Sequence, residues 1–200
     1  MKAILKYTVL LIAAGGFTAC KNSNHNDKLA MFTEYYKAVQ NHPEKKWNYT
    51  TDTVKVWFDD KKGNPILNIK GTGSTGMWAE WDEEMDATAS YDSLWYNETE
   101  HTIKGYFYEN NDFYRLLGKG PTKTLQTYWL NEDDKIKEVL IYWIPEENTT
   151  TSEHIKPVAE WAKENDSTEI RELYSNEKLI PSRHNAKRWK ALLKKYNEQK

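Results

Sequence analysis

One cysteine in 200 residues excludes an intramolecular disulfide. Five scattered histidines and no second thiol give no metal-ligand spacing, so neither a metal nor another cofactor is expected. Positive charge is not in excess: 28 Lys and Arg stand against 30 Asp and Glu. A surface that binds nucleic acid must be basic, so nucleic acid is not an expected partner. No internal repeat is visible. What the chain does have is aromatics, with nine Trp and 13 Tyr. Such residues bury large areas while keeping a polar handle. They build either an aromatic core or the walls of a pocket or sugar-stacking face.

The N-terminus has the parts of a secretory signal: Lys2 and Lys6, an apolar run from Tyr7 to Phe17, then Thr18, Ala19 and Cys20. The run falls short of the roughly 20 residues that span a bilayer as a helix. Phe17-Thr18-Ala19-Cys20 resembles the lipobox of bacterial lipoproteins, with Phe where Leu is usual. That resemblance implies cleavage before Cys20 and lipid on its thiol and new amino terminus. Two or three acyl chains make a stable anchor where one does not. Lys21 in place of Asp points to the outer membrane, periplasmic or surface side left open. The expected order is a signal peptide over 1–19, a polar tether over 20–26, a domain over 27–146 and a helical extension over 147–200. Losing Lys2 and Lys6 makes the mildly acidic chain more so.

Hydrophobic spacing predicts a helix over Asp27–Gln40 from Leu29, Phe32, Tyr36 and Val39. Strands follow over Val54–Phe58 and Ile66–Lys70, then a short helix with Trp78, Trp81 and Met85 on one side. Four longer strands are read at Thr88–Asn97, Thr102–Glu109, Lys123–Asn131 and Ile136–Ile144, with short links that favour antiparallel neighbours. Three helices end the chain, starting near Ser152, Asp166 and Ser182. Asp166-Ser167-Thr168-Glu169 reads as a capping box. The cationic residues Lys187, Arg188, Lys190, Lys194 and Lys195 read as a solvated face. Gly71-Thr72-Gly73-Ser74-Thr75-Gly76 has dinucleotide-loop spacing but follows a polar hairpin, not a buried parallel strand, and is set aside.

The order is α+β. Gly118-Lys119-Gly120-Pro121, Tyr128-Trp129-Leu130, the Asn131–Ile136 turn and Val139–Trp143 together resemble the closing hairpin of the NTF2-like, or SnoaL-like, superfamily. The last helix resembles the extension of its lipoprotein members from Bacteroidetes. The resemblance implies a cone: a curved antiparallel sheet around an N-terminal helix, with a pocket at the wide end. The fold alone does not choose a function.

The expected function is binding of a small hydrophobic or aromatic ligand, or a partner protein, without turnover. Trp57, Trp78, Trp81, Tyr106, Tyr108, Trp129 and Tyr142 are the candidate wall residues. The rival is an isomerase or cyclase with Asp59, Asp82 or His101 as base. A third reading is an assembly subunit that homodimerises through the open sheet face. Asn131, Asp133 and Lys135 sit where a calcium loop places its first ligands, but the loop lacks its Gly and final Glu and reads as a turn.

Overall fold

In the computed structural model the described residues are 20–71, 76–176 and 178–199. The expected signal peptide lies outside them. So do 72–75, the middle of the glycine-spaced motif, and the side chains of Cys20 and Trp78.

Helix α1 (Cys20–Asn41) is already helical before Asp27, so it takes in the stretch expected as a tether. Long-range contacts hold its early turns. The His25 ring meets Tyr96 edge-on at 5.7 Å, and Lys28 pairs with Asp134. After a 3-10 turn (Pro43–Asn48) come β1 (Thr50–Phe58), β2 (Ile66–Ile69) and α2 (Gly76–Glu84). Then follow β3 (Thr88–Asn97), β4 (Thr102–Asn110), α3 (Asp112–Leu116), β5 (Thr122–Leu130) and β6 (Ile136–Trp143). The strands form one sheet in the order β2-β1-β6-β5-β4-β3. The pair β1–β6 is parallel and its neighbours are antiparallel, so the link expectation holds for all but the join that brings the first strand beside the last.

The fold class is the expected α+β cone. Alternation along the strands gives the sheet two faces. The concave face carries Val54, Ile103, Phe107, Tyr128 and Val139, and α1 lies in it. Phe32 of α1 is 0% exposed and stacks edge-on with Tyr128 at 4.6 Å and Phe107 at 6.1 Å. Burying such a ring contributes about 1.5–3 kcal/mol. Gly105 stands where β3 shifts register between Tyr91 and Leu94. A Cβ there would lie 2.6 Å from Leu94 Cδ2 and 2.7 Å from the Ser93 carbonyl, so the bend needs glycine.

The chain ends in α4 (Thr151–Asn165), α5 (Ser167–Leu173), the small pair β7 (Tyr174–Ser175) and β8 (Lys178–Leu179), and α6 (Arg183–Glu198). They pack with α2 and α3 into a second core that includes Trp81, Met85, Phe113, Leu173, Trp189 and Leu193. The extension is thus the cover that buries α2 and α3. The capping box lies at Thr150 and Glu153, not at Asp166, whose carboxylate accepts from Lys195 at 3.2 Å instead. Pro157 sits inside α4 without ending it. The cationic face is only partly solvated. Arg188 forks onto Glu169 at 2.8 and 2.7 Å and reaches Glu172, and Lys190 reaches Asp112 at 2.7 Å. These pairs tie α6 to α5 and α3.

Candidate functional site

At the wide end the sheet and α1 part, leaving a hollow of about 500 Å³. Tyr35, Tyr36 and Val39 of α1 form one wall. Phe107, Thr124, Gln126, Tyr128, Ile141 and Trp143 form the sheet wall, and Phe58 and Asp59 sit at the rim. These strand residues share one parity: Phe107 pairs with Thr124, Gln126 with Ile141, and Thr124 with Trp143. The wall is mostly hydrocarbon and ring faces. Burial pushes the Tyr35 and Tyr36 hydroxyls up to about 12 and holds Tyr128 well above its ordinary value, so all three stay neutral. Tyr128 donates to Gln126 Oε1.

One end of the hollow is polar. Glu109 and Thr122 face each other across β4 and β5, and Tyr114 of α3 lies beside them. Asn111 caps α3 by accepting the Tyr114 N–H at 2.9 Å, and its amide donates to Glu109 Oε1 at 3.4 Å. Glu109 opens onto the hollow, but the protein packed around it strips water and raises its carboxyl above the usual range; Lys119 and Asn111 pull the other way. Lys119 is 5% exposed. Its Nζ donates to Thr122 Oγ1 at 2.6 Å and lies over the Tyr114 ring at 4.1 Å. Burial holds this lysine below its ordinary value, and Glu109 opposes that shift. Asp82 of α2 stands near the same group. Burial, and then the charge of Glu109, push it up to about 6. Burial, and then Glu109, also push Tyr114 up to about 12. Apolar walls can hold a ring system here, and the end can give and take protons.

The sequence candidates scatter around this hollow. Trp57, Tyr106, Trp129 and Tyr142 lie on the convex face: Trp57 pairs with Leu140, Tyr106 and Tyr142 each with Leu125, and Trp129 with Glu138. None of the four lines the hollow. They form a surface array instead, with Lys61 Nζ 4.9 Å from the Trp57 ring centroid and 3.3 Å from that of Trp129. Tyr108 has convex parity, touches the rim, and donates its hydroxyl to Asp92 at 2.8 Å. Trp81 is buried in the helical core, 5.4 Å from the Phe113 ring. Trp78 lies on α2, with its side chain outside the described residues.

Of the three candidate bases, Asp59 is at the rim and Asp82 is near the polar end. Asp59 is committed to the backbone, accepting the Trp143 N–H at 3.2 Å from a positive φ of 63°. His101 lies with the Lys28–Asp134 pair by the first turns of α1, away from the hollow. Its Nε2 meets the Asn131 carbonyl at 3.0 Å, so that nitrogen donates. In the neutral ring Nδ1 then accepts the Tyr96 hydroxyl at 2.6 Å. Asn131 Oδ1 accepts from the backbone of Asp133 and Lys135, a turn closure.

Sequence reasoning missed Glu109, Tyr114, Lys119 and Thr122. Strand parity held a signal for the first, since Glu109 alternates with Phe107. Tyr114 had none, because α3 is a single turn too short to show periodicity.

No family model matches the chain, and no curated protein matches it. Among solved structures it is similar to RV0760c from Mycobacterium tuberculosis, at 16% identity over 62% of this chain and 98% of that one, with a TM-score of 0.45. It is also similar to SalBIII, described as an epoxide hydrolase/cyclase-like enzyme in pyran ring formation, at 10% identity over 61% and 94%, with a TM-score of 0.45. A protein of unknown function with a cystatin-like fold from Methylobium petroleophilum PM1 is similar at 8% identity over 64% and 80%, with a TM-score of 0.48. These are likenesses of fold, and no residue's role is carried across from them.

Proposed function

We propose that the chain is a lipoprotein, held at the outer membrane through Cys20, whose cone binds a small and largely apolar ligand without turnover. The observation that carries the binding reading is the hollow itself: neutral aromatic walls with one polar end. Apolar surface supplies the affinity and the few convergent polar groups set orientation. Calorimetric titration with 2-naphthol tests it. The wild-type chain saturates with the probe, Thr124→Trp fills the hollow and abolishes binding, and Trp129→Phe on the convex face leaves it intact. The reverse pattern would move the site to the convex array. The address is supported by the lipobox-like sequence. Globomycin treatment of cells is expected to leave a slower-migrating precursor, and an unchanged mobility would sink the anchor.

One observation favours a second reading, acid–base catalysis of the isomerase or cyclase kind. Glu109, a carboxylate with raised proton affinity, faces Tyr114 across the polar end. NMR of 2-tetralone in deuterated buffer tests it. Exchange at its acidic carbon faster than in buffer alone, and lost in Glu109→Gln, supports catalysis. No acceleration leaves binding without turnover.

A further inference from the structure

We propose that Lys119 forms an imine with an aromatic aldehyde or ketone held in the hollow, so that the ligand is captured reversibly as a covalent adduct. This rests on the binding reading above and names its ligand class. Lys119 differs from the ion-paired lysines of the molecule in what surrounds it. Lys61, Lys104, Lys123 and Lys190 each reach a carboxylate within 2.7 Å. Lys119 is buried, and among the described residues it has no carboxylate within ion-pairing distance. Its acceptors are Thr122 Oγ1 at 2.6 Å and the Gly120 carbonyl at 3.4 Å, with the Tyr114 and Trp143 rings beside it.

A buried ammonium without a counter-ion is costly, and loss of its proton relieves that cost. Thr122, Tyr114 and Trp143 all line the hollow, so Nζ stands directly behind its wall. Glu109 is the cross-strand partner of Thr122, the residue that Nζ touches, and its charge acts on the amine from beyond that residue.

The chemistry closes on these groups. The Lys119 ammonium passes a proton by way of the Thr122 hydroxyl, which it touches, to the Glu109 carboxylate. The neutral amine adds its lone pair to the carbonyl carbon, and a proton passes from the added nitrogen to the carbonyl oxygen, giving a neutral carbinolamine. Glu109 then returns its proton to that hydroxyl, which leaves as water while the C=N bond forms. Taken together, an ammonium and a carbonyl become a protonated imine and one water, and Glu109 ends as it began. No oxidant or reductant is needed. The apolar walls suit a carbonyl attached to a ring.

Reductive trapping on the full chain tests the proposal. The protein is incubated with 2-naphthaldehyde and sodium cyanoborohydride at neutral pH, and adducts are mapped by peptide mass spectrometry. Lys119 is expected to label faster than the surface lysines, because burial keeps more of it as free amine. Lys46 is the internal control: it is half-buried and also lowered by burial, but it lies in a different groove without Glu109. Labelling of Lys119 above Lys46 supports the imine. Labelling spread evenly, or Lys46 ahead of Lys119, overturns it. Lys119→Met, checked for folding by circular dichroism, must lose the preferred adduct. If 2-naphthol binds the hollow and no preferred adduct forms, the imine falls while the binding reading stands. If neither occurs, both fall.

Discussion

The cone and the helical layer bury their aromatics to different ends. In the helical layer Trp81, Phe113 and Trp189 interlock with Met, Leu and Ala in a packed centre, and the hollow of about 610 Å³ in that layer lies away from these rings, between α4 and α5 among mainly polar residues; Trp189 is 0% exposed and 5.2 Å from the Phe113 ring. In the cone, Phe32 fills the narrow part, and beyond it Tyr35, Tyr36, Phe107 and Tyr128 line space instead of closing it. The difference lies in the geometry of the partners. Helices can slide until side chains mesh. A curved sheet is fixed by its ladder, and one helix cannot reach the wide end. Tyrosine suits that end because it offers a ring wall and a hydroxyl. Aromatic content is therefore no guide to a pocket unless the backbone behind it cannot collapse.

The hardest way to break this contrast is to empty each core in turn. Phe32→Ala and Trp189→Ala should each cost about 3–5 kcal/mol, read from urea melts. α3 belongs to both regions, with Phe113 in the helical core and Tyr114 at the hollow. One shared transition is therefore expected for both variants. Two separate transitions, each moved by only one variant, would show the cores to be independent.

Much of this architecture was legible in the sequence. The six strands and two helices predicted from Asp27 to Ile144 all appear, because their periods and turn residues are strong. The C-terminal helices appear too, with the capping box displaced to Thr150. The site was less legible. β5 holds Tyr128 and Trp129 side by side, and β6 holds Ile141, Tyr142 and Trp143. With both parities apolar, alternation marks two faces without saying which one α1 covers. The aromatics chosen from the sequence fell mainly on the convex parity. Glu109, Thr122 and Lys119 converge only through β4–β5 pairing and the Gly118–Gly120 turn, contacts that no local pattern encodes.

A second test sharpens the contrast at its polar seam. Asp82 lies where α2 meets the wide end, and its raised pKa is a cost that appears only when it ionises. The sign follows. With its folded value at about 6, above the ordinary 3.8, its environment favours the protonated form. That relative stability is complete below about pH 4 and is lost as pH rises through about 6. Asp82→Asn should thus stabilise the chain above pH 7, by at most about 2 kcal/mol after allowing for its partial exposure, and should give nothing at pH 4. Thermal melts across that range check it. A gain of the same size at both ends would mean that burial of charge at the seam is not the cause.

The smallest expected effect is at Asn111, and it asks whether the filled core positions the open one. Its side chain does two jobs: it caps α3 through the Tyr114 N–H and touches Glu109 with its amide. Replacing a cap of this kind by Ala costs about 0.5–2 kcal/mol. Phe113 is 1% exposed within the helical core, so α3 should stay docked in Asn111→Ala. Tyr114 then loses its local restraint while keeping its ring contact with Phe113, 6.4 Å away. Affinity for 2-naphthol should fall by no more than the stability does if the helical core alone holds Tyr114 at the hollow. A larger fall would show that the cap, and not the packed core beneath it, sets the polar end.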